Sequence, residues 1–287
     1  MIDRRDFVGG ALAASAILAT PAQAHDAAEA LADLERSLGA RLGVALRDTG
    51  SGEQILYRAD ERFPITSTFK FLAAAAVLAK VDAGRDALDR RVHFEKTVLV
   101  TYSPATGEHA GRDGMTLAEI CDAAITLSDN TAGNLLLAAL GGPEGLTRYA
   151  RSLGDEVTRL DRFETDLNEA RPGDVRDTTS PAAMLGNLEK LLAGEALSST
   201  SRQRLTAWMV ANKTGDARLR AGAPKDWRVG DKTGSGENGT TNDIAILWPP
   251  GGKPILVAAY LTQCARRADE RNAALAEVAR ILTAHAH

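Results

Sequence analysis

Residues 67–79 read Ser-Thr-Phe-Lys-Phe-Leu-Ala-Ala-Ala-Ala-Val-Leu-Ala, and the rest of the chain is organised around this run. Pro64 prevents a helix from entering it from upstream, and Gly84 can end one downstream. The run is apolar nearly all round, which predicts a buried helix with Ser67 and Lys70 on one face of its first turn. Burial depresses the pKa of a lysine, and a partly neutral amine can activate a serine hydroxyl as a nucleophile. Taken alone, the same residues also fit an ordinary solvated helix start, because Ser-x-x-Lys is common by chance.

The composition is that of a globular protein with a large core. The chain has 287 residues, of which 44% are hydrophobic and 25% charged, with a formal net charge of −4. This mild acidity argues against nucleic acid or an anionic membrane surface as a partner. The five histidines form no ligand-spaced cluster, so neither a metal nor a cofactor is expected. The two cysteines, Cys121 and Cys264, are expected to be free and buried, since two cysteines do not make a disulfide scaffold.

The N-terminal residues 1–24 have the pattern of a twin-arginine signal peptide. Arg4 and Arg5 precede a weakly apolar Ala/Gly-rich run, and Ala22-Gln23-Ala24 fits the small-x-small rule for cleavage. The apolar run is too short for a membrane span. We therefore expect export to the periplasm, cleavage after Ala24, and no membrane anchor in the mature chain.

The hydrophobic periodicity predicts strands at both ends of the mature chain and helices between them. Helices are predicted over 27–38, much of 85–210 and 268–284, and strands over 42–48, 54–57, 227–233, 243–248 and 254–262. Residues 161–179 are polar and aperiodic, which predicts a long loop. The fold class is therefore α/β, of the α+β type, with an antiparallel sheet of about five strands flanked by helices. We predict that residues 25–59 and 212–287 form this sheet domain, that 60–211 form an inserted all-helical domain, and that the active site lies between the two.

Two further stretches carry polar groups suited to chemistry. Ser128-Asp129-Asn130 offers a hydroxyl, a carboxylate and an amide just before a predicted helix, where each could also serve as an ordinary N-cap. Lys232-Thr233-Gly234 ends a predicted strand, where a charged residue before a turn is common.

The three stretches together resemble a known family. Ser-x-x-Lys, Ser-Asp-Asn and Lys-Thr-Gly in this order are the motif set of class A β-lactamases and penicillin-binding proteins. The predicted long loop adds Arg162-Phe163-Glu164-Thr165-Asp166-Leu167-Asn168, which is similar to the Arg-x-Glu-x-x-Leu-Asn element of the class A enzymes. The chain therefore resembles a class A serine β-lactamase over nearly its whole mature length.

This resemblance implies hydrolysis of penicillins and cephalosporins, and hence antibiotic resistance, through a serine acyl-enzyme. Implied catalytic residues are the nucleophile Ser67, with Lys70, the proton relay Ser128 and the water-activating Glu164; Lys70 and Glu164 are both candidates for the acylation base. Implied substrate-binding residues are Asn130, Asn168, Lys232, Thr233, Ser235 and the gate residue Tyr102. The backbone N–H groups of Ser67 and Ser235 would form the oxyanion hole, and Arg162 and Asp177 the ion pair that closes the loop.

The chain also departs from the family pattern. Many members carry an arginine on the strand after Lys-Thr-Gly, whereas this chain has Thr240-Thr241-Asn242 there. Arg218 matches the alternative source of that charge in a subset of members, although it could also be a solvated charge. Thr165 follows Glu164 where many members have proline. Cys121 matches half of a disulfide known in some members, but its partner position is Ala74, so that bridge is absent.

Two other functions share the motif set. A penicillin-binding DD-peptidase lacks the deacylating glutamate, which Glu164 and Asn168 argue against here. A non-hydrolysing penicillin sensor usually carries a membrane anchor, which we do not expect here. We expect a monomer whose only partner is a small-molecule β-lactam.

Overall fold

The structure is a computed structural model that describes residues 21–285. The predicted signal peptide, residues 1–24, lies outside the described residues except for its last four, which begin the first helix. In chain order the helices of the described residues are α1 (Pro21–Leu38), α2 (Phe69–Asp82), α3 (Thr106–His109), α4 (Leu117–Thr126), α5 (Asn130–Leu140), α6 (Pro143–Ser152), α7 (Pro181–Leu188), α8 (Ser199–Val210), α9 (Leu219–Gly222) and α10 (Ala268–His285). A π-helical turn, Glu189–Ala193, continues α7.

A five-stranded antiparallel sheet joins the two ends of the chain. The strands are β1 (Arg41–Asp48), β2 (Gln54–Tyr57), β3 (Phe63–Pro64), β4 (Arg91–Val92), β5 (Met115–Thr116), β6 (Thr178–Thr179), β7 (Arg228–Gly236), β8 (Thr240–Trp248) and β9 (Ile255–Thr262). The sheet has the order β2-β1-β9-β8-β7. Strand β1 pairs along its whole length with β9, from Arg41 opposite Thr262 to Asp48 opposite Ile255. The prediction that the first hairpin joins the sheet of the last three strands is confirmed.

Strands β7 and β8 are longer than the sequence pattern indicates. We expected β7 to end at Thr233 and β8 to begin at Asp243, with a turn over 234–239 between them, and this was wrong. Gly234 pairs with Asn242 and Ser235 with Thr241, so the connection is only Glu237–Gly239. Pattern reading missed the extension because glycine and polar residues interrupt the hydrophobic signal, although their backbone groups pair as well as any others.

Alternation along β8 and β9 divides the core into two clusters on opposite faces of the sheet. Ile244 and Ile246 face a helical layer that includes α2, α4, α5 and α8. Ala245 and Leu247 face the other way, against α1, α9 and α10. Because successive side chains of a strand point to opposite faces, a central strand that is covered on both sides must be apolar throughout.

Helix α2 is the buried centre of the helical layer, as predicted. Its residues 69–78 are all buried. The predicted start at Ser67 was wrong in one respect: Thr66–Thr68 form a 3₁₀ turn, and the α-helix begins at Phe69. The Thr68 hydroxyl donates to the Ile65 carbonyl at 2.6 Å, and side-chain bonds of this kind favour a tight turn over a regular helix start.

Three smaller features bear on the predictions. Thr116 caps α4 in a capping box with Glu119, as the sequence predicts. Cys121 and Cys264 are both buried and free. None of the helices within residues 21–285 is long and apolar enough to cross a membrane.

Candidate active site

A cleft of about 290 Å³ opens between the helical layer and the edge strand β7. The residues that line it come from the 3₁₀ turn before α2, the segment before α3, the start of α5, the long loop, the segment between α8 and α9, and strand β7. They are Ser67, Tyr102, Ser128, Asn130, Asn168, Thr214, Arg218, Thr233, Gly234 and Ser235. Eight of the residues that the sequence singled out are therefore brought together here, although they lie as far apart in the chain as Ser67 and Ser235.

Beneath the cleft, Ser67, Lys70 and Glu164 form a buried triangle. Lys70 Nζ lies 2.9 Å from Ser67 Oγ and 2.9 Å from Glu164 Oε1. Ser67 Oγ in turn lies 3.2 Å from Glu164 Oε1. The side chains of Lys70 and Glu164 are fully buried. The Ser67 hydroxyl is thus within hydrogen-bond distance of two groups that could accept its proton, an amine and a carboxylate.

The protonation of Lys70 decides which of these groups can act. Besides Ser67 and Glu164, Nζ contacts the Ser128 carbonyl at 2.8 Å and Asn130 Oδ1 at 2.7 Å. Burial lowers the pKa of Lys70, and the charge of Glu164 opposes that shift. A charged Lys70 has no lone pair, so the Ser67 proton must then pass to Glu164; a neutral Lys70 can accept it directly.

Ser128 and Lys232 form the second polar contact of the site. Lys232 Nζ donates to Ser128 Oγ at 2.9 Å and to the Thr233 carbonyl at 2.7 Å. Burial, and then the charge of Lys70, lower the pKa of Lys232 well below its ordinary value. Because Ser128 Oγ accepts from Lys232, its own proton is free to point into the cleft.

The residue after Ser128 anchors the start of α5. Asp129 caps the helix by accepting from Ala132 N at 2.8 Å and also binds the backbone N–H groups of Ala105 and Thr106 at 2.9 Å each. The N-cap interpretation is therefore confirmed for Asp129, while Ser128 and Asn130 line the cleft and remain the candidates for chemistry.

The long loop positions Glu164 through a direct contact inside the loop and through an ion pair that closes it. Asn168 Nδ2 donates to Glu164 Oε2 at 2.5 Å. The two ends of the loop meet at a neck formed by Asp161, Arg162 and Asp177. There the Arg162 guanidinium donates to Asp177 Oδ2 at 2.6 Å, and the same carboxylate accepts the backbone N–H groups of Asp161 and Arg162. The Glu164–Thr165 peptide is cis.

Asn134 is a positioning residue that the sequence analysis missed. Its amide accepts from the Glu164 N–H at 2.8 Å and donates to the Glu164 carbonyl at 3.0 Å, so it clamps the backbone of the catalytic candidate. The signal was available, because Asn134 lies one helical turn after Asn130 and so shares its face of α5.

The outer wall of the cleft is the end of β7, and Arg218 packs against it. Arg218 Nη2 donates to Ser235 Oγ at 2.7 Å, while Nη1 binds the carbonyls of Gly234 and Asn242. Its guanidinium is nearly buried, which lowers its pKa. Thr214 Oγ1 lies 2.5 Å from Thr233 Oγ1, and no local sequence pattern predicts this contact.

Gly234 allows β7 to approach the Ser67 turn closely. A Cβ at this position would lie 2.1 Å from Thr66 Oγ1 and 3.3 Å from Ser67 N. A real Cβ could not be accommodated unless Thr66 moved, so the glycine of Lys-Thr-Gly lets β7 lie against the Ser67 turn.

Tyr102 and Asn130 complete the rim. The Tyr102 side chain is 56% exposed and its φ is +64°, which turns the chain at the cleft mouth. The Tyr102 carbonyl accepts the Asn130 N–H at 2.9 Å, and Asn130 Nδ2 donates to the Thr101 carbonyl at 2.8 Å.

Comparison with known proteins identifies the family of this site. The model of the β-lactamase enzyme family matches residues 26–286. β-Lactamase AST-1 of Nocardia asteroides is 49% identical over 98% of this chain and 95% of that protein, and β-lactamase CTX-M-97 of Escherichia coli is 52% identical over 91% and 90%. Among solved structures, an ancestral class A β-lactamase (GNCA) is 64% identical, with a TM-score of 0.89, and the match covers 90% of this chain and 99% of that one. With the serine, lysine and glutamate in one buried contact beneath the cleft, the chain belongs to the class A β-lactamases.

Proposed function

We propose that the protein hydrolyses the β-lactam amide of penicillins and cephalosporins through an acyl-enzyme on Ser67, and so gives resistance to these antibiotics. The observation that carries the proposal is the buried triangle of Ser67, Lys70 and Glu164, which opens on a cleft lined by polar side chains.

Acylation begins when Ser67 Oγ attacks the lactam carbonyl carbon. The Ser67 proton passes to Lys70 or to Glu164, both within hydrogen-bond distance. The carbonyl oxygen becomes an oxyanion, which the backbone N–H groups of Ser67 and Ser235 stabilise; one such donor contributes about 3–4 kcal/mol. The closeness of β7 to the Ser67 turn, which Gly234 permits, supports this pairing of donors.

Collapse of the tetrahedral intermediate breaks the C–N bond, and the leaving nitrogen needs a proton. Ser128 supplies it, since its hydroxyl faces the cleft while Lys232 donates to its oxygen. The proton that Ser67 released then reaches Ser128 through Lys70, which contacts both residues, and this leaves Glu164 ionised for the next step.

Deacylation uses Glu164 as the general base. Glu164 takes a proton from a water that attacks the ester carbonyl, the Ser67 Oγ–carbon bond breaks, and Ser67 recovers its proton. Asn168, bonded to the other carboxylate oxygen, orients Glu164 and the water. Asn134 and the Arg162–Asp177 pair keep the loop in place during this step.

The carboxylate of the substrate binds at the end of β7. The positive charge of Lys232, beneath the cleft, attracts the substrate carboxylate, and the hydroxyls of Thr233 and Ser235 donate hydrogen bonds to it. Arg218 orients Ser235. Asn130 binds the amide of the substrate side chain, and Tyr102 stands at the entrance. The protein acts as a monomer on this small-molecule substrate.

The twin-arginine pattern of residues 1–24 supports export to the periplasm, where β-lactams act, with cleavage after Ala24. Mass spectrometry of the N-terminus of the exported protein tests this point. A protein in that fraction that still begins at Met1 would refute the cleavage.

The decisive experiment on the mechanism is Glu164→Gln. This isosteric change leaves Ser67 and Lys70 in place and removes the base for water. It also removes the charge that raises the pKa of Lys70, so a neutral Lys70 can accept the Ser67 proton, and acylation should survive while deacylation slows by about 10²–10⁴-fold. Intact-protein mass spectrometry after mixing with a cephalosporin should show an acyl adduct that persists in the variant and vanishes within seconds in the wild type.

Asp174→Asn is the matched control, because Asp174 lies on the same loop but pairs with Arg176, away from Glu164 and Arg162. It should turn over at close to the wild-type rate. A wild-type protein that itself forms a long-lived adduct would instead be a DD-peptidase or a penicillin sensor. Equal turnover by the wild type and Glu164→Gln would refute the role given to Glu164.

A further inference from the structure

A second cleft, of about 450 Å³ and basic in its lining, lies away from the catalytic one, between helix α6 and the start of the long loop. It is lined by four arginines and two acidic residues, namely Arg62, Arg148, Arg151, Arg159, Glu144 and Asp161, together with Thr147 and Leu160. The lining therefore carries two positive charges in excess, on a chain whose formal net charge is −4. Such local concentration of one sign of charge in a concave surface attracts ions of the other sign.

The arginines of this cleft leave many of their donors unused. Arg62 bonds only through Nη1, to the Val157 carbonyl at 2.7 Å and to Thr178 Oγ1 at 3.0 Å, and no carboxylate of the described residues lies within 4.0 Å of its guanidinium. Arg148 has one partner, Glu144, at 3.8 Å, and both side chains are largely exposed. A guanidinium has five N–H donors, so most donors of these two residues are available to a ligand.

The other two arginines are fixed by the fold and keep part of their capacity. Arg151 Nη1 binds the carbonyls of Asp155 and Thr158, and its Nε lies 3.5 Å from Glu156 Oε2, which leaves Nη2. Arg159 uses Nε and Nη2 on the Asp161 carboxylate. The remaining nitrogen of Arg159, Nη1, has no hydrogen-bond partner among the described residues and stays available.

We propose that this cleft is a binding site for a phosphate-bearing anion. Guanidinium groups bind phosphate through paired N–H donors, and several of them around one ligand match its multiple oxygens and charges. The volume exceeds that of the catalytic cleft, so a diphosphate or a phosphate on a larger group fits better than a single small ion. The acidic net charge of the chain favours a free phosphate compound over a lipid headgroup as the source.

Occupancy has a structural consequence at the neck of the long loop. Asp161, which Arg159 holds, accepts the Asp177 N–H at 3.0 Å, and Asp161 N donates to the Asp177 carboxylate. An anion between Arg148 and Arg159 joins α6 to this neck. Since a ligand that binds only the folded state stabilises it, pyrophosphate should raise the melting temperature in a saturable way.

Inorganic pyrophosphate is the probe, tested on the full mature chain by isothermal titration calorimetry and thermal melting at constant ionic strength. We expect a single saturable binding event and a rise of a few degrees in melting temperature. Arg148→Glu should weaken binding at least tenfold, because it reverses one charge at the cleft without removing a close contact. Arg280→Glu is the charge-matched control, since Arg280 lies on the exposed face of α10, and it should bind like the wild type.

β-Lactam turnover in the absence of pyrophosphate should be unchanged in Arg148→Glu, which separates this site from the catalytic one. Phosphatidylcholine vesicles with and without phosphatidylglycerol test the source of the phosphate: vesicle binding that pyrophosphate competes away and Arg148→Glu abolishes would assign the site to a lipid headgroup. Absence of pyrophosphate binding to the wild type, or equal binding by Arg148→Glu and Arg280→Glu, would overturn the proposal.

Discussion

Asp177→Asn is the change that most directly tests how the long loop supports catalysis. Asp177 is 1% exposed and its carboxylate accepts three hydrogen bonds, two from the backbone N–H groups of Asp161 and Arg162 and one from the Arg162 guanidinium. An asparagine can keep its oxygen on the two backbone donors. Its amide nitrogen must then face the Arg162 Nε–H, so a charged attraction is replaced by two opposed donors.

The size of the effect follows from the burial of the pair. Breaking a buried ion pair costs about 3–5 kcal/mol. Arg162 is 18% exposed and keeps a second carboxylate, Glu169, at 2.6 Å, so we take a reduced cost of about 2–3 kcal/mol. If the whole of this free energy destabilises the loop conformation that places Glu164, deacylation slows by about 30- to 150-fold, since about 1.4 kcal/mol corresponds to a factor of ten in rate.

The assay separates the two half-reactions. Stopped-flow mixing with a chromogenic cephalosporin should give a burst of about one equivalent followed by slow turnover, because Ser67 and Lys70 lie outside the loop and acylation is retained. Asp174→Asn is the control, since Asp174 pairs with Arg176 at the surface of the same loop, and exposed pairs contribute only about 0–1 kcal/mol. Steady-state rates of Asp177→Asn equal to those of Asp174→Asn, without a burst, would show that the neck does not control Glu164.

Three further outcomes are expected. Arg218→Lys should raise KM for carboxylate-bearing substrates by about tenfold with a smaller change in kcat, because one ammonium cannot bind Ser235 and two carbonyls at once; an unchanged KM would contradict the role of Arg218. Burial and the charge of Lys70 lower the pKa of Lys232, so its positive charge is lost as pH rises through a value below the ordinary 10.5, and KM should climb over that range; a KM that stays flat up to pH 10.5 would count against it. Thr116→Ala should lower the free energy of unfolding by about 0.5–2 kcal/mol, with catalytic rates unchanged, as measured by denaturant melts and steady-state kinetics.

Local sequence signals predicted most elements of this fold because those signals act over a few residues. The apolar run of α2, the capping box of α4 and the apolar strand β9 each carry their own periodicity or cap. The predicted strand ends were wrong at the extension of β7 and β8 through Gly234 and Ser235, because glycine and polar residues there do not give the hydrophobic pattern by which a strand is recognised. It also placed Ser67 in the α-helix, because a 3₁₀ turn and the first turn of an α-helix have the same composition.

The candidate site shows the same division. The motif residues were identified from their order in the chain, yet Asn134 and Thr214, which hold Glu164 and Thr233, belong to no motif. Their roles depend on which atoms face each other across elements that are distant in sequence. Helical spacing can place Asn134 on the same face of α5 as Asn130, but it does not encode the distance from Asn134 to Glu164.

The sequence by itself determined which chemical groups this protein has and in which order they occur: a serine and a lysine three residues apart, a Ser-Asp-Asn stretch, a glutamate in a polar loop and a Lys-Thr-Gly strand. It also determined that Lys70 would be buried, because the run around it is apolar on every face. Only the tertiary structure decided that Lys70 Nζ lies 2.9 Å from both Ser67 Oγ and Glu164 Oε1, and that the arginines of α6 and the loop neck share one cleft. The physical reason is that hydrogen bonds and charge interactions depend on distances of a few ångströms, which arise only when the two ends of the chain close into one sheet and hold the helical layer against it.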